Sequence, residues 1–426
     1  VNVRDGLPPR GPRGEAGRAT VRRPPRHGGR HFVLFIAGPA LLVLALLFAA
    51  ATALRPAVER SIVDAAFANP GLLRLAPIAE LVRQELGASL TDPAGTDPTP
   101  VEFQVLPGDT PASLAPRLLA AGLIGSQRAF LFVAAQDGLA AKLTAGSFLL
   151  RRTMTPEEVA RALVEGRIIP TPVTFREGLR LEQLTAELET VESGVDPAAF
   201  YQEVEHPPAA LLADYPWLAA AGLPPGASLE GFLYPATYPV KPTTSADQLV
   251  RMMLDAFYRQ VGPARLAVPA ARGLTFYQVL TLASIVEREA VVDAERPLIA
   301  GVYQNRLDRR RLLEADPTVI YGTDSVALRR IPLDQWRTYF FWSLPRDPLQ
   351  DVVLPKDLAG YQTYRHPGLP PGPICSPSLA SIDAALRPDT TAGYLFFVAI
   401  PDGSGRHAFA RTYAEHLANL KKYGYR

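Results

Sequence analysis

The sequence predicts an α+β protein that carries a single N-terminal transmembrane helix. Three observations predict it: an uncharged apolar run from Phe32 to Leu54, alternating strand-like and helix-like periodicity after Val101, and a composition of 48% apolar and 20% charged residues. That balance belongs to folded rather than disordered chains, and a chain of 426 residues suffices for about two or three domains.

The apolar run reads FVLFIAGPALLVLALLFAAATAL. At about 1.5 Å per residue it is long enough to cross a hydrocarbon core of about 30 Å. Gly38 and Pro39 interrupt it, which transmembrane helices tolerate. The apolar region of a cleaved signal spans only about 7–15 residues, so a retained anchor over residues 32–54 is expected. Small residues at Ala49, Ala50, Ala51 and Ala53 are the kind a cleavage site would use. Residues 1–31 hold eight arginines against Asp5 and Glu15. The positive-inside rule makes them a disordered cytoplasmic tail and sends the rest of the chain across the cytoplasmic membrane.

Composition also excludes function classes. A net charge of +2 argues against nucleic acid as a partner of the whole chain. Cys375 is the only cysteine, so an intrachain disulfide and a thiolate zinc cluster are ruled out. The six histidines show no HExxH spacing, and the sequence has no Walker A or strand-linked GxGxxG motif. No metal and no cofactor are expected.

Residues 55–100 read as a juxtamembrane segment, helical near Ile62–Leu86, followed by a linker rich in Pro, Thr and Asp. VEFQVLPGD from Val101 is a strand and turn, Thr110–Leu123 is helical, and GSFLLRRTM from Gly146 is a strand. Thr155, Pro156 and Glu158 form a capping box at the start of another helix. The resulting β–α–α–β–α unit, residues 101–170, resembles LysM-type glycan-binding modules. PVTFREGLRLE at 172–182 repeats its opening more weakly. Residues 171–426 form the expected catalytic region, with a motif core at 226–426.

One helix in that core carries a misplaced charge. Between Thr275, its N-cap, and Asp293, a 3.6-residue period puts Phe276, Val279, Leu280, Ala283, Val286 and Ala290 on one face. Glu287 falls within that apolar stripe, and Arg288 and Glu289 point away from it. A buried carboxylate must be paired, for instance with Arg306, or kept protonated. A carboxyl protonated near neutral pH is what a glycosidase uses to protonate a leaving oxygen.

Six blocks occur in order: SLEGFLYPATYPV (228–240), ASIVEREA (283–290), AGVYQNRL (300–307), EADPTVIYG (314–322), YQTYRHPGLPPGPI (361–374) and YLFFVAIPDGSGRHAFARTYAEH (394–416). Together they resemble the YceG-like, endolytic murein transglycosylase family. The resemblance implies a mixed α/β catalytic domain that cleaves the MurNAc–GlcNAc β-1,4 bond of nascent peptidoglycan glycan strands. The product would be a 1,6-anhydro-MurNAc end, terminating glycan elongation, with peptidoglycan synthases as candidate partners. It implies Glu287 as the acid/base, the residue that the periodicity also selects. Glu314 stands where the family usually has Gln, Gln362 where it has Asn, and the segment 334–356 is longer than usual.

Supporting residues have two readings each. Asn305 either binds an acetamido group or packs between helices. Asp316 and Thr318 either contact sugar or form a turn and cap. Tyr234, Tyr238, Tyr321 and Tyr364 offer flat faces to sugar rings, or are core residues. Glu230 and Glu314 are the further carboxylates of the expected substrate-binding set. His407 and His416 are either site residues or surface and capping residues. The rival functions are a hydrolytic muramidase and a non-catalytic, membrane-tethered glycan-binding scaffold of the wall-synthesis machinery.

Overall fold

The computed structural model describes residues 29–191 and 194–425. The basic tail expected over residues 1–31 therefore lies outside the described residues, except for its last three positions. There the first helix, α1 (Gly29–Ala68), has already begun. It runs without a break through the apolar run and beyond it. Within it, Leu41–Ala68 is long and apolar enough to cross a membrane.

The described residues divide into two compact units. One gathers the chain up to Asp97 with Asp109–Leu143 and Arg152–Arg161; the other gathers Pro98–Gly108, Thr144–Arg151 and the chain from Ala162 onward. In the first unit the end of α1 meets α2 (Ala76–Leu86) and α4 (Gln127–Gln136), and α3 (Pro111–Ala120) packs on α4. Val63, Ala66, Leu73, Ala79, Val82 and Phe132 form its core. Thr110 caps α3 with a reciprocal bond to Ser113, as its position before a helical run requires. The helix α5 (Pro156–Glu165) starts at the expected box, with Thr155 and Glu158 exchanging side-chain-to-backbone bonds of 2.8 and 3.2 Å.

The second unit holds three two-stranded antiparallel sheets among the described residues. They are β1 (Pro100–Val105) with β2 (Gly146–Arg151), β3 (Thr171–Thr174) with β4 (Thr237–Val240), and β5 (Phe396–Ala399) with β6 (His407–Ala410). Around them lie α6 (Leu181–Leu188), α7 (Pro197–Glu205), α8 (Ala209–Asp214), α9 (Pro216–Ala220) and α10 (Ala246–Ala267). After α10 come α11 (Phe276–Glu289), α12 (Arg296–Asp308), α13 (Asp316–Leu328), α14 (Leu379–Leu386) and α15 (Tyr413–Lys422).

The helix α11 sits at the centre of this unit and packs on α12, α13 and α14. Thr275 and Gln278 close its capping box. Every residue from Val279 to Val286 is buried, so the helix has no solvent face along that stretch. It stops at Glu289, four residues before the expected end at Asp293, because Ala290 turns extended (φ −85°, ψ 124°). The long segment after α13 is pinned from both sides. Asp324 accepts from Tyr339 OH (2.8 Å) and Trp342 N–H (2.9 Å). Gln362 donates to the carbonyls of Leu349 (2.9 Å) and Val352 (2.6 Å).

Candidate active site

Glu287 and Glu289, both near the end of α11, have different surroundings. Oε2 of Glu287 receives three donors: Ser378 N–H (3.0 Å), Ser378 Oγ–H (2.6 Å) and the Arg296 guanidinium (3.1 Å). Its side chain is 8% exposed. Ser378 is the N-cap of α14, so this carboxylate fastens α11 to α14. Arg306, the partner expected for Glu287, instead pairs with Glu314 at 2.7 Å.

Glu289 does not point into solvent, as helical periodicity predicts; it is part-buried and accepts a 2.7 Å bond from Tyr303 OH. Burial pushes its carboxyl up to about 7. Asp316 adds to the rise, and the Tyr303 bond and Arg288 oppose it. Helical periodicity finds an outward face only on an amphipathic helix, and from Val279 to Val286 α11 is buried all round, so only Arg288 of its last turn faces outward as expected. The unbroken apolar and small-residue run VLTLASIV (279–286) was the legible sign of that.

Glu289 opens onto a cleft of about 350 Å³. Tyr303 and Arg306 of α12, Glu314, Asp316, Tyr364, β5 and His416 of α15 line it. Arg306 is nearly buried, donates to the carbonyls of Leu313 (2.8 Å) and Leu395 (2.7 Å), and lies 5.0 Å over the Phe396 ring. Asp316 opens α13 and accepts from Tyr364 OH at 2.5 Å; burial, and then this contact, raise the Tyr364 phenol. His416 is half-buried. It stacks on Phe396 at 5.1 Å and 19°, its Nδ1 is buried without a partner, and burial with nearby Arg306 lowers its pKa.

The remaining expected residues lie elsewhere in the second unit or beneath the cleft. Asn305 donates to the Tyr394 carbonyl (3.0 Å) and so holds the approach to β5. Thr318 is buried and bonds the Ala315 carbonyl and Thr363 Oγ1. Tyr321 lies between Arg180, 4.0 Å over its ring, and Tyr361, 4.8 Å away. Glu230 is buried with one oxygen on Leu181 N–H (3.2 Å) and the other without a partner, and burial raises it well above the usual carboxylate range. The Tyr234 carbonyl receives Tyr238 OH at 2.6 Å. His407 pairs with Glu295 at 2.9 Å. The cleft also holds Glu289, which the sequence reading turned outward, and Tyr303, which it did not single out; His416 it gave as one of two readings. Among the described residues no group of three or more His, Cys, Asp or Glu could hold a metal ion.

The cleft draws residues from five of the six blocks, all but the one at 228–240. A model of the YceG-like family matches residues 103–422. The chain belongs to the YceG-like family. A relative from Bacillus subtilis (strain 168), an endolytic murein transglycosylase, is 28% identical over 351 residues, covering 79% of this chain and 89% of that protein. The endolytic murein transglycosylase of Streptococcus pneumoniae serotype 2 is also 28% identical, over 321 residues and 71% of this chain. The match spans only 54% of that relative's length. A solved yceG-like protein of Listeria monocytogenes aligns with a TM-score of 0.49 and 25% identity, over 76% of this chain and 99% of that one. Within the YceG-like chain described here, the long side chain of Gln362 has a structural use: it reaches the carbonyls that hold the extended 334–356 segment.

Proposed function

We propose that this chain is a membrane-anchored endolytic murein transglycosylase and that Glu289, rather than Glu287, is its acid/base. One observation carries the reading: where five family blocks meet, Glu289 lines the cleft with a carboxyl raised to about 7. Such a group is protonated often enough near neutral pH to donate, and becomes a competent base once it has donated. The Glu287 reading rests on motif resemblance and periodicity. Its three converging donors fit a structural carboxylate better.

In the proposed reaction, Glu289 gives its proton to the glycosidic oxygen between MurNAc C1 and GlcNAc O4. The C1–O4 bond breaks with the electron pair going to O4, leaving positive charge on the MurNAc ring. Asp316, near enough to act on Glu289, favours that charge. The Glu289 carboxylate then takes the proton of the MurNAc 6-hydroxyl as O6 bonds to C1. The products are a 1,6-anhydro-MurNAc end and a free GlcNAc 4-hydroxyl. The substrate supplies its own nucleophile, so the second carboxylate that most glycosidases need has no part here. Tyr303 fixes the orientation of the carboxyl.

The apolar part of α1 would anchor the chain in the cytoplasmic membrane, with the arginine-rich tail inside and the cleft outside. The order β1, α3, α4, β2 supports a LysM-like glycan-binding role for residues 101–170. An anhydro end has no reducing hydroxyl, which suits an enzyme that ends strand elongation beside peptidoglycan synthases. The test is incubation of purified protein with isolated murein and mass analysis of the released ends. Ends lighter by one water support the transglycosylase. Reducing ends point to a muramidase, and no release to a scaffold.

A further inference from the structure

A second cleft, of about 400 Å³, opens where α6 meets the extended segment after α13. Trp336, Tyr339, Phe340 and Phe341 give it aromatic walls, and Gln183, Glu187, Thr190 and Arg337 a polar rim. Phe340 is 84% exposed. Its neighbours are held firmly. Tyr339 and Phe341 meet edge to face at 4.9 Å, and Trp336 meets Tyr201 at 4.7 Å. Trp342 sits at φ +60°, a left-handed conformation that a bulky residue adopts only when its surroundings enforce it. Here Asp324 takes its backbone N–H, Gln183 takes its indole N–H (2.9 Å), and Arg288 lies 4.0 Å over its ring. The exposed phenyl is thus displayed by an ordered loop, and the loop is tied through Trp342 to Arg288, the residue before Glu289.

We infer that this cleft is a sugar subsite for the same glycan strand, remote from the bond being cut. This rests on the transglycosylase reading of the Glu289 cleft. A pyranose ring has an apolar face of C–H groups and a rim of hydroxyls. The C–H face packs on the negative face of an aromatic ring. The hydroxyls need donors and acceptors around it, which Arg337, Glu187 and the amide N–H groups of Gln183 supply. Those N–H groups carry no bond among the described residues, because both bonds to Gln183 go to its oxygen. An apolar protein or lipid partner would leave this rim unpaired. The size suits a small ligand rather than a domain, since such sites span about 300–1,000 Å³.

The test uses the full-length protein in detergent, with long peptide-free glycan strands and short oligosaccharides that fill the Glu289 cleft alone. Phe340→Ala should raise KM for the long strands by roughly three- to tenfold, leave their kcat unchanged and leave the short substrates unaffected. Phe340→Tyr should restore the wild-type KM. An unchanged KM for long strands, or an equal change for both substrates, overturns the subsite. Direct binding of the same long strands keeps the two proposals apart. Turnover with binding indifferent to Phe340 sinks the subsite alone. Binding that depends on Phe340 without any release of anhydro ends sinks the transglycosylase reading and keeps the subsite.

Discussion

Glu287 and Glu289 are two residues apart, yet one is bound by three donors and the other by a single phenol. Glu289→Gln should lower anhydro-end release by at least about a hundredfold, the usual scale of a positioned acid/base. Its melting temperature should not fall, because the change removes a carboxyl whose ionisation burial opposes. Glu287→Gln should melt lower and keep release within about tenfold of wild type. The opposite pattern would return the catalytic role to Glu287. The acid form donates, so release should fall as pH rises through about 7. Tyr303→Phe removes a bond that favours the carboxylate, and this limb should move to higher pH; a limb that stays in place would separate Tyr303 from the acid. Stability carries the same sign. Between about pH 4.3, the unfolded value, and about 7, the folded chain holds a proton that the unfolded chain has lost. Wild type should therefore lose stability relative to Glu289→Gln across that interval.

Among the elements, caps and the first three strands were legible, because their signals are local, whereas β4, β5 and β6 were not singled out. Thr275 as an N-cap, and Thr155 with Glu158 as a box, are read from the sequence and present in the structure, which adds Gln278 as the second half of the Thr275 box. Thr275→Ala should cost about 1 kcal/mol of stability in chemical denaturation. The facing of α11 was not legible from its period, since three other helices cover it and erase the polar face on which the period depends. The placement of His416 was left open between two readings for a related reason. Its neighbourhood, α15, has no buried residue of its own, and only the return of β5 brings Phe396 against the imidazole. Gln362 could be read only as a departure from a pattern; its purpose needs the Leu349 and Val352 carbonyls, which the fold brings to its amide. Gln362→Asn should shorten the reach, and amide exchange over residues 349–352 should quicken while the α11 core stays protected.

For the whole molecule, the boundary of the anchor matters more than its existence. The apolar run was evident, but the helix does not end with it. Val63 and Ala66 of α1 pack against Val82 and Phe132. A chain starting at residue 55 should leave the membrane fraction and keep a cooperative melt. One starting at residue 69 should melt lower or aggregate, because it uncovers that core. Equal melts for the two would show that the end of α1 contributes nothing to the first unit.

The same continuity acts as a mechanical constraint. From Leu54 to Ala68 the helix rises about 20 Å with no break in its backbone ladder. With its apolar length in a bilayer, α1 is a stalk without a joint. The first unit is then carried at a set standoff from the lipid surface, and it tilts only as the buried helix tilts. A flexible tether of equal length would let that unit sample every height from zero to full extension. In the proposed orientation a stiff one would confine it to a thin layer above the membrane, and that layer, rather than the depth of the wall, would set which strands come within reach.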